Sequence, residues 1–277
     1  MLNKPIGVFD SGYGGLTILK EIVERLPQYN YLYMGDNARA PYGPRSFETV
    51  YDYTLEAVKW FFDQGCHLVI LACNTASAKA LRSIQQKDLP RIAPQKRVLG
   101  VIRPTAEVIG DYSKSRHVGV LGTQGTVSSQ SYLLEIEKFF PDMAVSQEAC
   151  PEWVPIVENN AYDQPGTGEA VKNHIDSILQ KDPQIDTLLL ACTHYPMLMD
   201  KIREFTPEGI AIIAQGGIIA QSLEVYLDRH PEIEEQCGKG GQLEFYTTGS
   251  TQDFDNHTAK FFGRAVQSKS LQLTSNE

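Results

Sequence analysis

Two cysteines in this 277-residue chain end apolar runs and are followed by small hydrogen-bonding residues. Leu68-Val69-Ile70-Leu71-Ala72 leads into Cys73-Asn74-Thr75, and Thr187-Leu188-Leu189-Leu190-Ala191 leads into Cys192-Thr193-His194. Short apolar runs of this kind read as buried strands, and in open parallel α/β sheets ligands bind beyond the C-terminal ends of the strands. The repetition points to a duplicated half-site facing one substrate from two sides. A thiol at a strand end can be a metal ligand, a redox partner, a nucleophile or a proton-transfer group, and its plainest role is that of a small buried apolar residue. Zinc would ask for further Cys or His at ligand spacing, and only His194 is near in sequence. A nucleophile works with one base and an oxyanion hole, which leaves a second equivalent cysteine unexplained. Two symmetric thiols suit a nearly symmetric reaction, in which a proton leaves one face of a carbon and another arrives on the opposite face. A thiol titrating near 8.5 when unperturbed can be brought close to working pH by a neighbour or a helix N-terminus. Helices following the cysteines would favour anions, both thiolate and substrate carboxylate. Such chemistry requires no cofactor and no metal.

Other residues could complete the site. Asp10-Ser11-Gly12-Tyr13-Gly14-Gly15 closes the first apolar run, where Asp10 could hydrogen-bond a proton relay beside Cys73 or cap the glycine turn. His194 could orient or protonate on the Cys192 side, or be structural. The loop Asp36-Asn37-Ala38-Arg39-Ala40-Pro41-Tyr42-Gly43 would present Tyr42 and the Gly43 backbone over the same crevice, although Pro and Gly also serve plain turns. The glycine spacing is G-x-G-G, neither the dinucleotide fingerprint nor a P-loop, and no Lys stands at a strand end as a pyridoxal anchor would. Cys66, Cys150 and Cys237 have no comparable neighbours and are read as structural.

These residues need a frame that brings strand ends together. Apolar runs alternate with amphipathic stretches, as βαβ units do. Strands are expected over 5–9, 30–34, 67–72, 97–102, 117–121, 143–147, 186–191, 210–213 and 243–247. Helices are expected over 15–26, 46–64, 75–86, 104–112, 127–139, 167–181, 196–205, 217–229 and 252–266. The turn Gly7-Val8-Phe9-Asp10-Ser11-Gly12 has a counterpart in Gly119-Val120-Leu121-Gly122-Thr123-Gln124-Gly125-Thr126, at nearly the offset that separates the two cysteines. The expected fold class is therefore α/β: two similar domains with mostly parallel sheets flanked by helices, related by a pseudo-twofold, with the active site between them. The segment around Pro104 reads as a crossover into the second half and Ile212-Ile213-Ala214-Gln215-Gly216-Gly217 as the return. This gives a discontinuous first domain, 1–99 plus 214–277, and a second domain over 100–213. The polar stretch Ser268 to Glu277 is expected to be a frayed tail.

Composition narrows the function. With 42% hydrophobic residues the chain can fill a core. Its net charge is −9 and its Lys and Arg are scattered, so the basic footprint of a nucleic-acid binder is missing. There is no run of about 18 apolar residues and no basic leader with an apolar stretch behind it, so no membrane association is expected and the location is read as cytoplasmic. Five widely spaced cysteines without a CxxC pair argue for reduced thiols rather than a disulfide framework or a zinc knuckle.

Taken together, Asp10-Ser11-Gly12-x-Gly14-Gly15, Pro41-Tyr42-Gly43, Cys73-Asn74-Thr75, Thr123-x-x-Thr126 and Cys192-Thr193-His194-Tyr195-Pro196 resemble the bacterial glutamate racemases of the cofactor-independent aspartate/glutamate racemase superfamily. The resemblance runs from residue 6 to about 262. It implies a two-base mechanism in which Cys73 takes the α-proton of D-glutamate and Cys192 that of L-glutamate. It implies substrate contacts from Asp10, Ser11, Tyr42, Gly43, Asn74, Thr75, Thr193 and His194, with Thr123 and Thr126 on the second-domain side, and it matches Glu158 to the family's acidic residue near the second cysteine. D-glutamate for peptidoglycan and a homodimer are implied as well. Two places depart from the pattern: the return crossover reads Ile213-Ala214-Gln215-Gly216 where the family often has an acidic residue, and Ala191 stands where glycine is common before the second cysteine. Within the superfamily an aspartate or hydantoin racemase is the competing reading. Outside catalysis the competitors are an amino-acid binding module with a decayed site and an inhibitor of a nucleic-acid enzyme, and the presence of both cysteines speaks against decay.

Overall fold

In the computed structural model, which describes residues 3–273, ten strands form two separate sheets. In chain order they are β1 (Ile6–Asp10), β2 (Tyr31–Gly35), β3 (Leu68–Leu71), β4 (Arg97–Gly100), β5 (His117–Gly122), β6 (Ala144–Ala149), β7 (Thr187–Ala191), β8 (Ala211–Ile213), β9 (Leu243–Thr247) and β10 (Ser268–Ser270). The six-stranded sheet has the order β10-β9-β2-β1-β3-β4 and the four-stranded sheet the order β6-β5-β7-β8. All the strand pairings are parallel. Every strand of either sheet therefore ends on the same side.

The apolar runs are continuous because both faces of each central strand are buried, as parallel sheets covered by helices require. Alternate residues feed different cores. Ile6 and Val8 of β1 pack in one cluster while Phe9 packs in another; Leu188 and Leu190 of β7 pack with the first cluster while Leu189 and Ala191 face a third. The first cluster runs through both halves, from Leu16, Leu19 and Ile22 to Trp153, Ile175 and Leu198. The chain crosses between sheets twice, at Val101 after β4 and at Ala214-Gln215 after β8, so β9 and β10 return to the first sheet.

Local structure departs from the sequence expectation in several places, four of which bear on the site or the sheets. The stretch Ser268–Ser270, expected to be frayed, is β10, with Ser268 paired to Phe245 and Ser270 to Thr247. As an edge strand it needs no apolar period, and Leu271 and Leu273 beyond it pack on the core of the first sheet. The rest of the expected tail, 274–277, lies outside the described residues. The helix expected over 75–86 is instead Asn74–Lys79, then Leu81–Ser83, a π-turn Ile84–Asp88 and a last turn Leu89–Ile92. The helix expected over 127–139 is split into Gln124–Ser128 and Ser131–Phe139, with Gln130 between them in the left-handed region at φ 55°. A short helix, Trp153–Glu158, arises where no periodic run was visible and carries Glu158 at its end.

Gly7 shows how tightly the first core is closed. A Cβ there would lie 2.7 Å from the fully buried ring of Phe61. Gly7→Ala should therefore cost about 1–3 kcal/mol through overpacking, read as a lower denaturation midpoint in urea with an unchanged slope. An unchanged midpoint would mean that Phe61 can yield.

Candidate active site

Cys73 follows β3 and opens the helix Asn74–Lys79. Its sulfur accepts the Ala76 backbone N–H at 3.4 Å, and its S–H is directed at the Ser11 hydroxyl at 3.5 Å. Cys192 follows β7 in the other sheet, and its sulfur is 3.9 Å from Nδ1 of His194. Both thiols are buried, and both line one cavity of about 30 Å³. Ser11, Tyr42, Gly43, Asn74, Thr75, Thr193 and His194 line it too, together with Thr123, Val154 and Glu158. Of the residues singled out for the site in the sequence, Asp10 and Thr126 are not in the wall.

Asp10 sits behind that wall, at the end of β1 and fully buried. One carboxylate oxygen accepts the Gly12 N–H at 2.9 Å and the other accepts the Thr193 hydroxyl at 3.4 Å. The glycine turn is built around it: a Cβ on Gly15 would lie 2.5 Å from the Cβ of Asp10. Asp10 therefore caps its own turn and grips the loop that follows Cys192; no hydrogen bond joins it to Cys73. Burial pushes its carboxyl above the ordinary range, opposed by the positive charge of His194.

Tyr42 is also present but differently employed. Its hydroxyl donates to the buried carboxylate of Asp36, which is held as well by Arg39 Nε at 2.7 Å and the Thr248 hydroxyl at 2.7 Å. The Gly43 backbone lies against the second half, where a Cβ would come within 3.3 Å of Thr123. Thr123 and Thr75 share a hydrogen bond at 2.9 Å, and Thr123 caps the helix Gln124–Ser128 by accepting the Thr126 N–H. Thr17 ties the halves again by donating to the Thr193 carbonyl at 3.0 Å. The Asn74 amide is engaged by Gln215 and Tyr132, neither of which the spacing of motifs marked as part of the site.

The two cysteines have unlike surroundings. Burial, and then the charge of Asp10, push the Cys73 thiol up to about 12, against the pull of the Ala76 N–H and Ser11. On the other side Glu158 holds Nε2 of His194 at 3.0 Å, with the Cys192 sulfur facing the opposite ring nitrogen. Burial disfavours a charged imidazole, but these two acceptors outweigh it and raise His194 to about 10. At neutral pH the cavity thus has a protonated thiol on one wall and an imidazolium next to the second sulfur.

Two parallel sheets that each deliver a cysteine to one shared cavity define a class of α/β protein with a two-sided thiol site. The chain belongs to the Asp/Glu/hydantoin racemase family, whose model matches residues 6–223. It is 38% identical over 271 residues to the glutamate racemase of Ruegeria sp. (strain TM1040), covering 94% of this chain and 97% of that relative. Among solved structures, it superposes on the Bacillus anthracis glutamate racemase isoform RacE1 with a TM-score of 0.88 at 33% identity, covering 98% of both chains. It superposes on the Francisella tularensis glutamate racemase in complex with D-glutamate with a TM-score of 0.87 at 30% identity, covering 99% of both.

The raised His194 contributes stability with a defined pH signature. An unfolded histidine titrates near 6.5, so the contribution is whole below about pH 6.5 and is lost as pH climbs toward the folded value of about 10. Glu158→Gln should lower the titration of His194, followed by its ring-proton NMR signal, and should flatten the decline in denaturation midpoint between about pH 7 and 10. A His194 titration that does not move would refute the pairing.

Proposed function

We propose that this chain interconverts L- and D-glutamate by two-base proton transfer, with Cys73 and Cys192 as the bases. The observation that carries the reading is that the two cysteines come from different sheets and open on a single cavity. In the D-to-L direction the Cys73 thiolate takes the α-proton, and the carbanion left at Cα receives a proton from the Cys192 thiol on the opposite face. The reverse direction exchanges the roles. Burial and Asp10 hold Cys73 as the thiol, while the Cys192 sulfur faces the His194 imidazolium. His194, oriented by Glu158, supports the Cys192 side; Asp10 fixes the loop that carries Thr193 and His194.

Ser11, Thr75, Thr193, the remaining N–H of Asn74 and the backbone at Tyr42 and Gly43 are the groups we assign to the substrate's amino and carboxylate ends. A cavity of about 30 Å³ has room for one water, and glutamate is several times larger. The halves, 1–99 plus 214–277 and 100–213 in our division, must therefore part to admit it. The names of the relatives favour glutamate over aspartate, and the same resemblance supports a homodimer, a cytoplasmic location and supply of D-glutamate for peptidoglycan. Among the described residues no helix is long and apolar enough to cross a membrane.

Cys73→Ser and Cys192→Ser should each lower racemisation by about 10²–10⁴-fold, the usual worth of a positioned acid or base, while D-glutamate still binds by calorimetry. Full turnover by either variant would exclude two bases. In D2O, deuterium at Cα should build up in the product ahead of the recovered substrate; equal early exchange into both enantiomers would point to one base. Faster decay of optical activity with L-aspartate than with L-glutamate would overturn the substrate.

A further inference from the structure

Both chain crossings meet at one buried side chain. Gln215, in the return segment after β8, donates from Nε2 to the Thr105 hydroxyl at 2.8 Å and to the Tyr132 hydroxyl at 2.7 Å. Its Oε1 accepts from Nδ2 of Asn74 at 2.8 Å. Tyr132 in turn donates to Oδ1 of Asn74 at 2.6 Å. The directions are not interchangeable. Thr105 already donates its proton to the Val101 carbonyl at 2.8 Å, so its oxygen can only accept from Gln215. That fixes the amide face of Gln215, and the three residues form a closed ring in which each donates to the next: Gln215 to Tyr132, Tyr132 to Asn74, Asn74 to Gln215. All three side chains are buried, away from competing water.

The ring, together with the Thr105 hydroxyl that Gln215 holds, joins four segments. Asn74 follows the Cys73 base and belongs to the first sheet's half; Tyr132 belongs to the second; Thr105 lies just past the outward crossing and Gln215 on the return. We infer that Gln215 is a positioning residue for the proposed racemisation, the pin that sets the angle between the halves and holds the Cys73-Asn74 segment at its working distance from the opposite wall. The inference rests on the proposed two-cysteine reaction and deepens it: the hinge side of the cavity is fixed by an amide whose donor and acceptor ends are both in use. A carboxylate at this position could accept but not donate, and the ring could not close in the same sense.

The test is kinetic, in both directions, with Gln215→Glu, Gln215→Leu, Tyr132→Phe and the Gln215→Leu/Tyr132→Phe double variant. Each single variant should lose about tenfold to 100-fold in kcat/KM, the scale of a small misplacement of reacting groups, with kcat falling more than KM rises. The double variant should lose no more than the worse single one, because both break the same ring. For Gln215→Glu the ratio of variant to wild type should rise as pH falls, since only the protonated carboxyl can donate; Tyr132, in the ring, and Cys192, within reach of Tyr132, are the titratable neighbours. A flat ratio, additive losses, or wild-type kcat/KM in Gln215→Glu and Tyr132→Phe would overturn the inference. A wild-type chain that does not racemise glutamate would instead sink the proposed reaction, and the ring is then judged by NMR. Loss of exchange protection at the Asn74 side-chain amide in Tyr132→Phe supports the ring, and unchanged protection overturns it.

Discussion

A carboxylate buried at the end of a strand cannot stand alone, and the site is arranged around that constraint at Asp10. Its charge is met by the Gly12 N–H, by the Thr193 hydroxyl and by the field of His194. Each of those partners has a consequence elsewhere. The N–H requires a glycine turn close enough to forbid a side chain at Gly15. The hydroxyl draws the loop after Cys192 against the first half of the molecule. The imidazolium keeps the second wall positive, and the same carboxylate keeps the Cys73 proton in place. Leaving such a group unpaired would cost several kcal/mol, so the turn, the loop and the two thiols stand or fall as one arrangement.

The frame is nearly symmetric and the chemistry set into it is not. Both cysteines end a central parallel strand, yet Cys73 caps a helix and faces a serine, whereas Cys192 is followed by a short 3₁₀ turn and faces a histidine backed by Glu158. The proposed reaction, reversible at one carbon, needs two bases of opposite protonation at any moment. Unlike neighbours are the simplest way for a duplicated fold to provide them.

The strands were legible because burial on both faces writes an unbroken apolar run, and the cysteines because they stand where those runs stop. Ser11, Tyr42, Gly43, Asn74, Thr75, Thr193 and His194 stood out by their place after a strand end, whereas Glu158 was matched only by resemblance and Val154 not at all. Other features left no local trace. Strand β10 has the composition of a tail because an edge strand is under no demand to be apolar. For Asp10 the capping of its glycine turn was one of the two roles legible in the sequence, but its grip on Thr193, like the hold of Tyr42 on Asp36, depends on which oxygen faces which side chain of another segment. Gln215 and Tyr132 were invisible as partners for the same reason: the contact spans 83 residues and has no period. Glu158 could be matched by resemblance, but the helix that presents it is a single short segment, six residues with Pro155 in its first turn, too brief to show a period.

The order of the strands also has a consequence for how the protein is made. The four strands of the smaller sheet are contiguous in the chain, whereas the larger sheet begins with β1 to β4 and is finished only by β9 and β10. On a ribosome, where chains emerge from the N-terminus, β2 has an open edge until β9 arrives to pair with it, with Tyr31 to Gly35 waiting for Leu243 to Thr247. The inserted half can close its sheet while the first is still incomplete. The nascent chain therefore carries this open edge through most of synthesis, and the interval between β8 and β9 is when a chaperone would have most to protect.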